Sequence, residues 1–109
     1  MKAFRIDPVE KKVEEIEIHN TGDIAEAIGF DTIISDEIGP NADHLYLDED
    51  CFIRGAEGRF QIDKIAPVAG FGVVAGTHAG PDELSDVSQT QAELEARITY
   101  LEQVFARWA

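Results

Sequence analysis

The sequence predicts one α+β domain spanning residues 1–109, and three observations carry that prediction. Apolar and polar residues alternate with period two in 2–6 and 13–19, as in half-buried strands. Residues 45–76 read as three short extended runs separated by turn residues, closing in a glycine-punctuated apolar segment. A stripe of Leu94, Ile98, Leu101, Phe105 and Trp108, at spacings of 4, 3, 4 and 3, has helical period. The expected order is an N-terminal β-hairpin, a short helix, an antiparallel β-meander and a long C-terminal amphipathic helix. Residues 1–76 form the sheet core, 77–88 a connector and 89–109 the helix.

In the first strand Phe4 and Ile6 share one side, and Ala3 and Arg5 the other. Asp7-Pro8 starts a turn whose charged tip is Glu10-Lys11-Lys12. In the second strand Ile16 and Ile18 face one way and Glu15, Glu17 and His19 the other, which gives the hairpin a wet, acidic face. Asn20 to Asp23 supply N-cap side chains for a helix of about two turns carrying Ile24, Ala25 and Ile28, with Gly29 placed for a left-handed C-cap. So short a helix needs a sheet to pack on. Residues 30–35 read as a further strand, and 39–43 as the strongest turn of this half.

Two extended runs follow, 44–47 and 51–54, joined through Asp48-Glu49-Asp50 as a solvated hairpin tip, with Phe52 the core contributor of the second run. After the Gly55–Gly58 turn comes a strand at 59–62, and Pro67 marks a break or an edge. In 69–76, Phe71, Val73 and Ala75 take one face and Gly70, Gly72, Val74 and Gly76 the other. A face stripped of side chains lets a helix, or the opposite wall of a curled sheet, approach closely. The final helix opens on Thr90 and Glu93 in capping-box spacing. Its stripe either docks on the sheet or pairs with a second copy of the chain, making a homodimer.

Charge separates the protein from nucleic-acid binders. Lys and Arg number 9 against 22 Asp and Glu, a net charge of −13. The excess is uneven, with 14 acids and 4 bases in residues 1–50. Free nucleic acid is excluded as a partner because no basic footprint exists for phosphates. A basic protein partner suits such a surface. One cysteine, Cys51, leaves no internal disulfide and no CxxC pair. The absence of an apolar signal core or a membrane-length apolar run predicts a cytoplasmic protein that meets no membrane.

No stretch completes a catalytic, metal or cofactor signature. Gly70, Gly72 and Gly76 lack the strand-then-helix context of a dinucleotide fingerprint. Asp48, Glu49 and Asp50 lack the spacing of an EF-hand loop. His19, His44 and His78 fall in no HxH or HxxxH pattern, and no serine sits in GxSxG. Arg54 and Arg59, flanking the glycine turn, offset the surrounding acids.

From residue 45 to 76 the pattern resembles an uncharacterised family of small bacterial, phage and plasmid proteins, a domain of unknown function. Tyr46, Asp48 and Glu49 match its aspartate-rich strand and turn, and residues 69–76 its glycine-bearing final strand. Extended over 1–76, the resemblance implies the hairpin, short helix and sheet, and it implies no activity. The stripe that begins beyond Thr90 lies outside it.

The functional expectation is a small acidic, non-enzymatic protein-interaction module without cofactor, in the manner of a mobile-element-derived modulator. Its surface would hold Glu15, Glu17, Asp48, Glu49 and Asp50, and its oligomer helix Leu94, Ile98, Leu101, Phe105 and Trp108. The alternative is a small-ligand or metal-binding module using His44, Cys51 and the neighbouring acids.

Overall fold

Nine strands and two short helices make up a computed structural model that describes residues 1–39, 42–78, 80 and 82–101. The strands are β1 (Lys2–Asp7), β2 (Lys12–Glu17), β3 (Ile33–Glu37), β4 (Asp43–Asp48), β5 (Arg59–Ile62), β6 (Val68–Ala69), β7 (Gly72–Thr77), β8 (Leu84–Ser85) and β9 (Ile98–Leu101). Helix α1 covers Thr21–Ile28 and α2 covers Gln91–Arg97.

The main sheet has the order β2-β1-β7-β4-β3, with β8 paired to the end of β7 at Gly76 and Thr77. A second sheet has the order β6-β5-β9. Every pairing is antiparallel.

The period-two pattern of the hairpin is realised with Lys2 opposite Glu17 and Asp7 opposite Lys12. Helix α1 follows, capped as its sequence demands. The Asn20 side chain accepts the Asp23 amide, and Gly29 adopts φ 95° while its N–H bonds the Ala25 carbonyl. Ile24 and Ile28 bury against Ala3, Ile18, Tyr46, Val73 and Ala75 on one face of the main sheet. On the other face Phe4, Ile6, Leu45, Leu47 and Val74 meet Phe60, Ile62, Val68 and Ala69 of the second sheet, closed by Val87 and Leu94. The layers are therefore helix, sheet, sheet.

Several expectations are corrected. Strands occupy 42% of the described residues and helix 15%, so the protein is mostly antiparallel β rather than an α+β domain finished by a long helix. Helix α2 stops after seven residues because Ile98, Thr99 and Tyr100 are β-branched or aromatic and meet the open edge of β5, pairing with Ile62, Gln61 and Phe60. Leu94 remains a buried helical residue, while Ile98 and Leu101 belong to a strand. Phe105 and Trp108 lie outside the described residues. Leu94, Ile98 and Leu101 therefore do not share one helix, and the expected long C-terminal helix is not formed over them.

The meander is also absent. Strand β7 passes between β1 and β4, and residues 59–62 leave the main sheet to found the second one. Residues 51–54 are turns, closed by Arg54 N–H to the Asp50 carbonyl at 2.9 Å and Ala56 N–H to the Cys51 carbonyl at 3.2 Å. Phe52 is consequently exposed and Cys51 takes the core position. The glycine face of β7 is covered by the opposing sheet: a Cβ on Gly72 would lie 2.6 Å from Phe60 Cζ. At Gly76 the neighbour is the Asp86 backbone, 2.1 Å from such a Cβ.

Candidate functional site

The topology brings two aspartates to one end of the main sheet. Strands β1 and β4 both run antiparallel to β7, so both finish beside its start, β1 with Asp7 and β4 with Asp48. Each carboxylate turns the chain that follows it. Asp7 Oδ1 accepts the Val9 and Glu10 amides, each at 3.0 Å, and Asp48 Oδ1 accepts the Asp50 amide at 3.1 Å. Both side chains are buried, Asp7 at 6% exposure and Asp48 at 2%.

Between these two turns lies a cavity of about 470 Å³. Ile28 and Phe30 enter from the end of α1 and the segment after it; Cys51, Ala56 and Glu57 come from the turns after β4; Ala69, Gly70 and Phe71 precede β7. Asp7, Val9, Glu10 and Asp48 complete it. Gly58 lets the walls close, because a Cβ there would lie 2.9 Å from the Pro8 and Val9 backbone. The volume is of the size that takes a side chain or a small ligand, and the wall is mostly apolar.

Two arginines brace this wall. Arg54 stacks on Phe30 at 4.2 Å, and its Nε donates to Asp48 Oδ2 at 2.7 Å. Arg5 stacks on Phe71 at 4.7 Å and donates to Glu14 at 2.8 Å. Their charges are thus committed to Asp48 and Glu14.

The two buried aspartates differ in how they are satisfied. Burial pushes the Asp48 carboxyl up, but the Thr32 hydroxyl, the Asp50 amide and Arg54 outweigh it and hold its pKa below the usual aspartate value. Asp7 has its turn amides on Oδ1 alone. Its Oδ2 takes no hydrogen bond and its charge no ion pair among the described residues, and Glu10 and Glu57 are likewise unpaired there. Tyr100 stands near enough to register that charge. Its phenol pKa is raised, first by burial, then by Glu95 and Asp7.

No family model matches the chain. No curated protein and no solved structure matches it either. The site therefore stands on its own geometry.

Of the five acids expected to form one surface, only Asp48 lines the cavity. It is no part of a solvated tip, because its carboxylate is the hub of the turn that follows β4. Glu49 is exposed beside it and Asp50 half-buried, whereas Glu15 and Glu17 stand exposed on the edge strand β2. His44 approaches Ser35 at 3.3 Å and does not line the cavity with Cys51. Among the described residues no group of three His, Cys, Asp or Glu side chains is placed to hold a metal ion. No histidine lines the cavity to act as a base for Cys51.

Asp7, Val9 and Glu10 are the site residues that sequence reasoning missed, having been read as a turn and its charged tip. Val9 was the available signal, an apolar residue inside an otherwise polar tip.

Proposed function

We propose that this protein is a non-enzymatic interaction module that docks a basic, partly apolar segment of a partner protein over the mouth of this cavity. The observation that carries the reading is the exposure of large apolar side chains around it. Val9 and Phe30 line the cavity while remaining open to solvent, and Phe52 and Ile53 follow Cys51 in the adjoining turn, Ile53 at 86% exposure. Such residues gathered near one cavity mark an interaction surface rather than scattered surface apolarity. The unpaired carboxylates of Asp7, Glu10 and Glu57, within a chain of net charge −13, select a cationic partner over an acidic one.

The test is fluorescence anisotropy with a short Arg–Leu peptide and a Glu–Leu counterpart. The basic peptide is expected to bind, more weakly as salt rises, and the acidic peptide to be rejected. Ile53→Ser should weaken binding without lowering the melting temperature, since that side chain is exposed, whereas Phe52 also carries the stacked Arg59 guanidinium at 4.8 Å and is left in place. Equal binding of the two peptides, or of neither, overturns the reading.

A small-ligand module is the second reading, favoured by the cavity itself. Its metal version has no gathered ligand set among the described residues.

A further inference from the structure

We propose that the free edge of β3 takes an extended, basic segment of a partner protein as an added antiparallel strand. What β3 offers is backbone, so the assignment does not depend on the cavity. The main sheet has two edges, β2 and β3. An open edge is a row of unpaired N–H and C=O groups, which charged side chains usually blunt. Lys12, Glu14, Glu15 and Glu17 blunt β2, and the Gln91 side chain covers its Val13 carbonyl at 2.9 Å. On β3, by contrast, Ile33, Ile34 and Ser35 carry no charge and Ile34 is exposed; only the far end bears Asp36 and Glu37.

The direction of the backbone groups follows from the ladder. Glu49 N–H donates to the Thr32 carbonyl at 2.7 Å and Ile38 N–H to the Asp43 carbonyl at 3.0 Å, so the even-numbered residues of this stretch turn to β4. Alternation turns Ile33, Ser35 and Glu37 outward. Ile33 N–H is spent on the Asp31 carbonyl at 2.9 Å. The Ile33 carbonyl, and both backbone groups of Ser35 and of Glu37, have no partner among the described residues.

A groove of about 460 Å³ lies between this edge and α1. Ser35 stands opposite Tyr46, which packs with Ile24 and Ile28, so Ser35 shares the α1 face. A residue added opposite Ser35 would project onto Ile24, Ala25 and Tyr46 in that groove. One added opposite Ile34 would cover its exposed side chain on the other face. Charge then selects the occupant. Asp31 and Asp82 line the groove, Asp36 and Glu37 stand exposed at the end of β3, and none of them makes an ion pair among the described residues. Arg54 and Arg97, which reach Thr32 and Ile38 at the two ends, are paired with Asp48 and Asp63. A second copy would instead join two acidic edges, between chains of net charge −13 each. In an antiparallel strand the residues facing Glu37 and Asp36 come first, so the segment reads basic, basic, apolar, apolar.

The experiment titrates the full chain with a fluorescein-labelled Lys-Lys-Leu-Val-Thr peptide, read by anisotropy and by amide chemical shifts. Binding should shift the Ser35 and Glu37 amides and protect them from exchange. N-methylation of the leucine removes the N–H that meets the Ser35 carbonyl and should weaken binding roughly tenfold or more. N-methylation of the valine, whose N–H points away from β3, should cost little. Ser35→Pro deletes the outward N–H where an edge strand tolerates proline, and should weaken binding likewise. If that variant misfolds, the two methylated peptides decide alone. No binding, equal loss from both methylations, or loss from neither overturns strand addition. Equal binding of the reversed peptide, Thr-Val-Leu-Lys-Lys, overturns the antiparallel orientation. Shifts confined to Val9, Gly70 and Phe71 overturn the β3 assignment and leave the cavity reading standing. Shifts at Ser35 that grow with protein concentration, with no peptide present, overturn it in favour of a second copy.

Discussion

The ring tip of Phe60 stands 2.6 Å from the point where a Cβ on Gly72 would lie. That distance is shorter than any carbon–carbon contact a packed core tolerates, so the two sheets meet only because β7 carries no side chain there. Phe60 is fully buried and cannot swing away. Gly72→Ala should therefore destabilise the protein by about 1–3 kcal/mol, the usual cost of overpacking. Gly76→Ala should cost more, because its Cβ would meet the Asp86 backbone at 2.1 Å and backbone yields less than a ring. Urea denaturation of both variants checks the ranking. A Gly76→Ala protein as stable as the parent would refute the close approach.

The end of α2 invites a test by sign. Thr99 is exposed on β9 opposite Gln61. In a helix, Thr→Ala at an exposed site stabilises by roughly half a kcal/mol. In a strand the same change destabilises, by up to about 1 kcal/mol. Thr99→Ala is expected to lower stability, and a rise in the urea midpoint would restore the helical reading of this segment.

That segment also shows where the sequence is ambiguous. Leu94, Ile98 and Leu101 satisfy helical spacing, and Ile98 with Tyr100 satisfies strand alternation equally well. Which period wins depends on the free edge of β5, a partner more than thirty residues away, and no local pattern reveals it. Features closed within a few residues were legible: the β1–β2 hairpin, the Asn20 and Gly29 caps, and the Thr90–Glu93 capping box, which forms as read. The glycine face of β7 is legible as a close approach, and of the two covers it allows, a helix or an opposing sheet wall, Phe60 of the second sheet supplies the latter at Gly72. The site was not legible. Asp7 and Asp48 come together because β1 and β4 flank β7, a relationship set by sheet order alone.

Acid should act on the protein partly through Asp48. Its pKa is lowered in the folded state, so its contribution is present above the ordinary aspartate value and is lost as pH falls through the lowered one. Asp48→Asn retains the shape and removes the charge that Arg54 and Thr32 address. The variant should be less stable at neutral pH by about 1.5–3 kcal/mol, the scale of a hydrogen bond to a charged group. Its stability should also fall less steeply on acidification. Urea midpoints of both proteins between neutral and acid pH measure this, and parallel curves would count against the assignment.

Asp43 governs how α2 is attached to the main sheet. It is buried at the first position of β4, and its carboxylate accepts the Ser88 amide at 3.0 Å, the Ser88 hydroxyl at 2.9 Å and the Gln89 side-chain amide at 2.9 Å. Gln89 in turn accepts from Arg97 at 3.2 Å, and Arg97 reaches Asp63 at 2.6 Å and the Ile38 carbonyl. One carboxylate thus fixes the turn into α2 and, through Gln89, the arginine that closes the helix. Asp43→Ala leaves those donors without their acceptor and should cost about 2–3 kcal/mol. Asp43→Asn keeps one acceptor oxygen and should cost less. Hydrogen exchange locates the damage: the amides of Leu94 and its neighbours in α2 should lose protection before those of β1 and β7, because the helix can detach while the main sheet stays paired. Uniform loss across both sheets would show instead that Asp43 supports the whole fold.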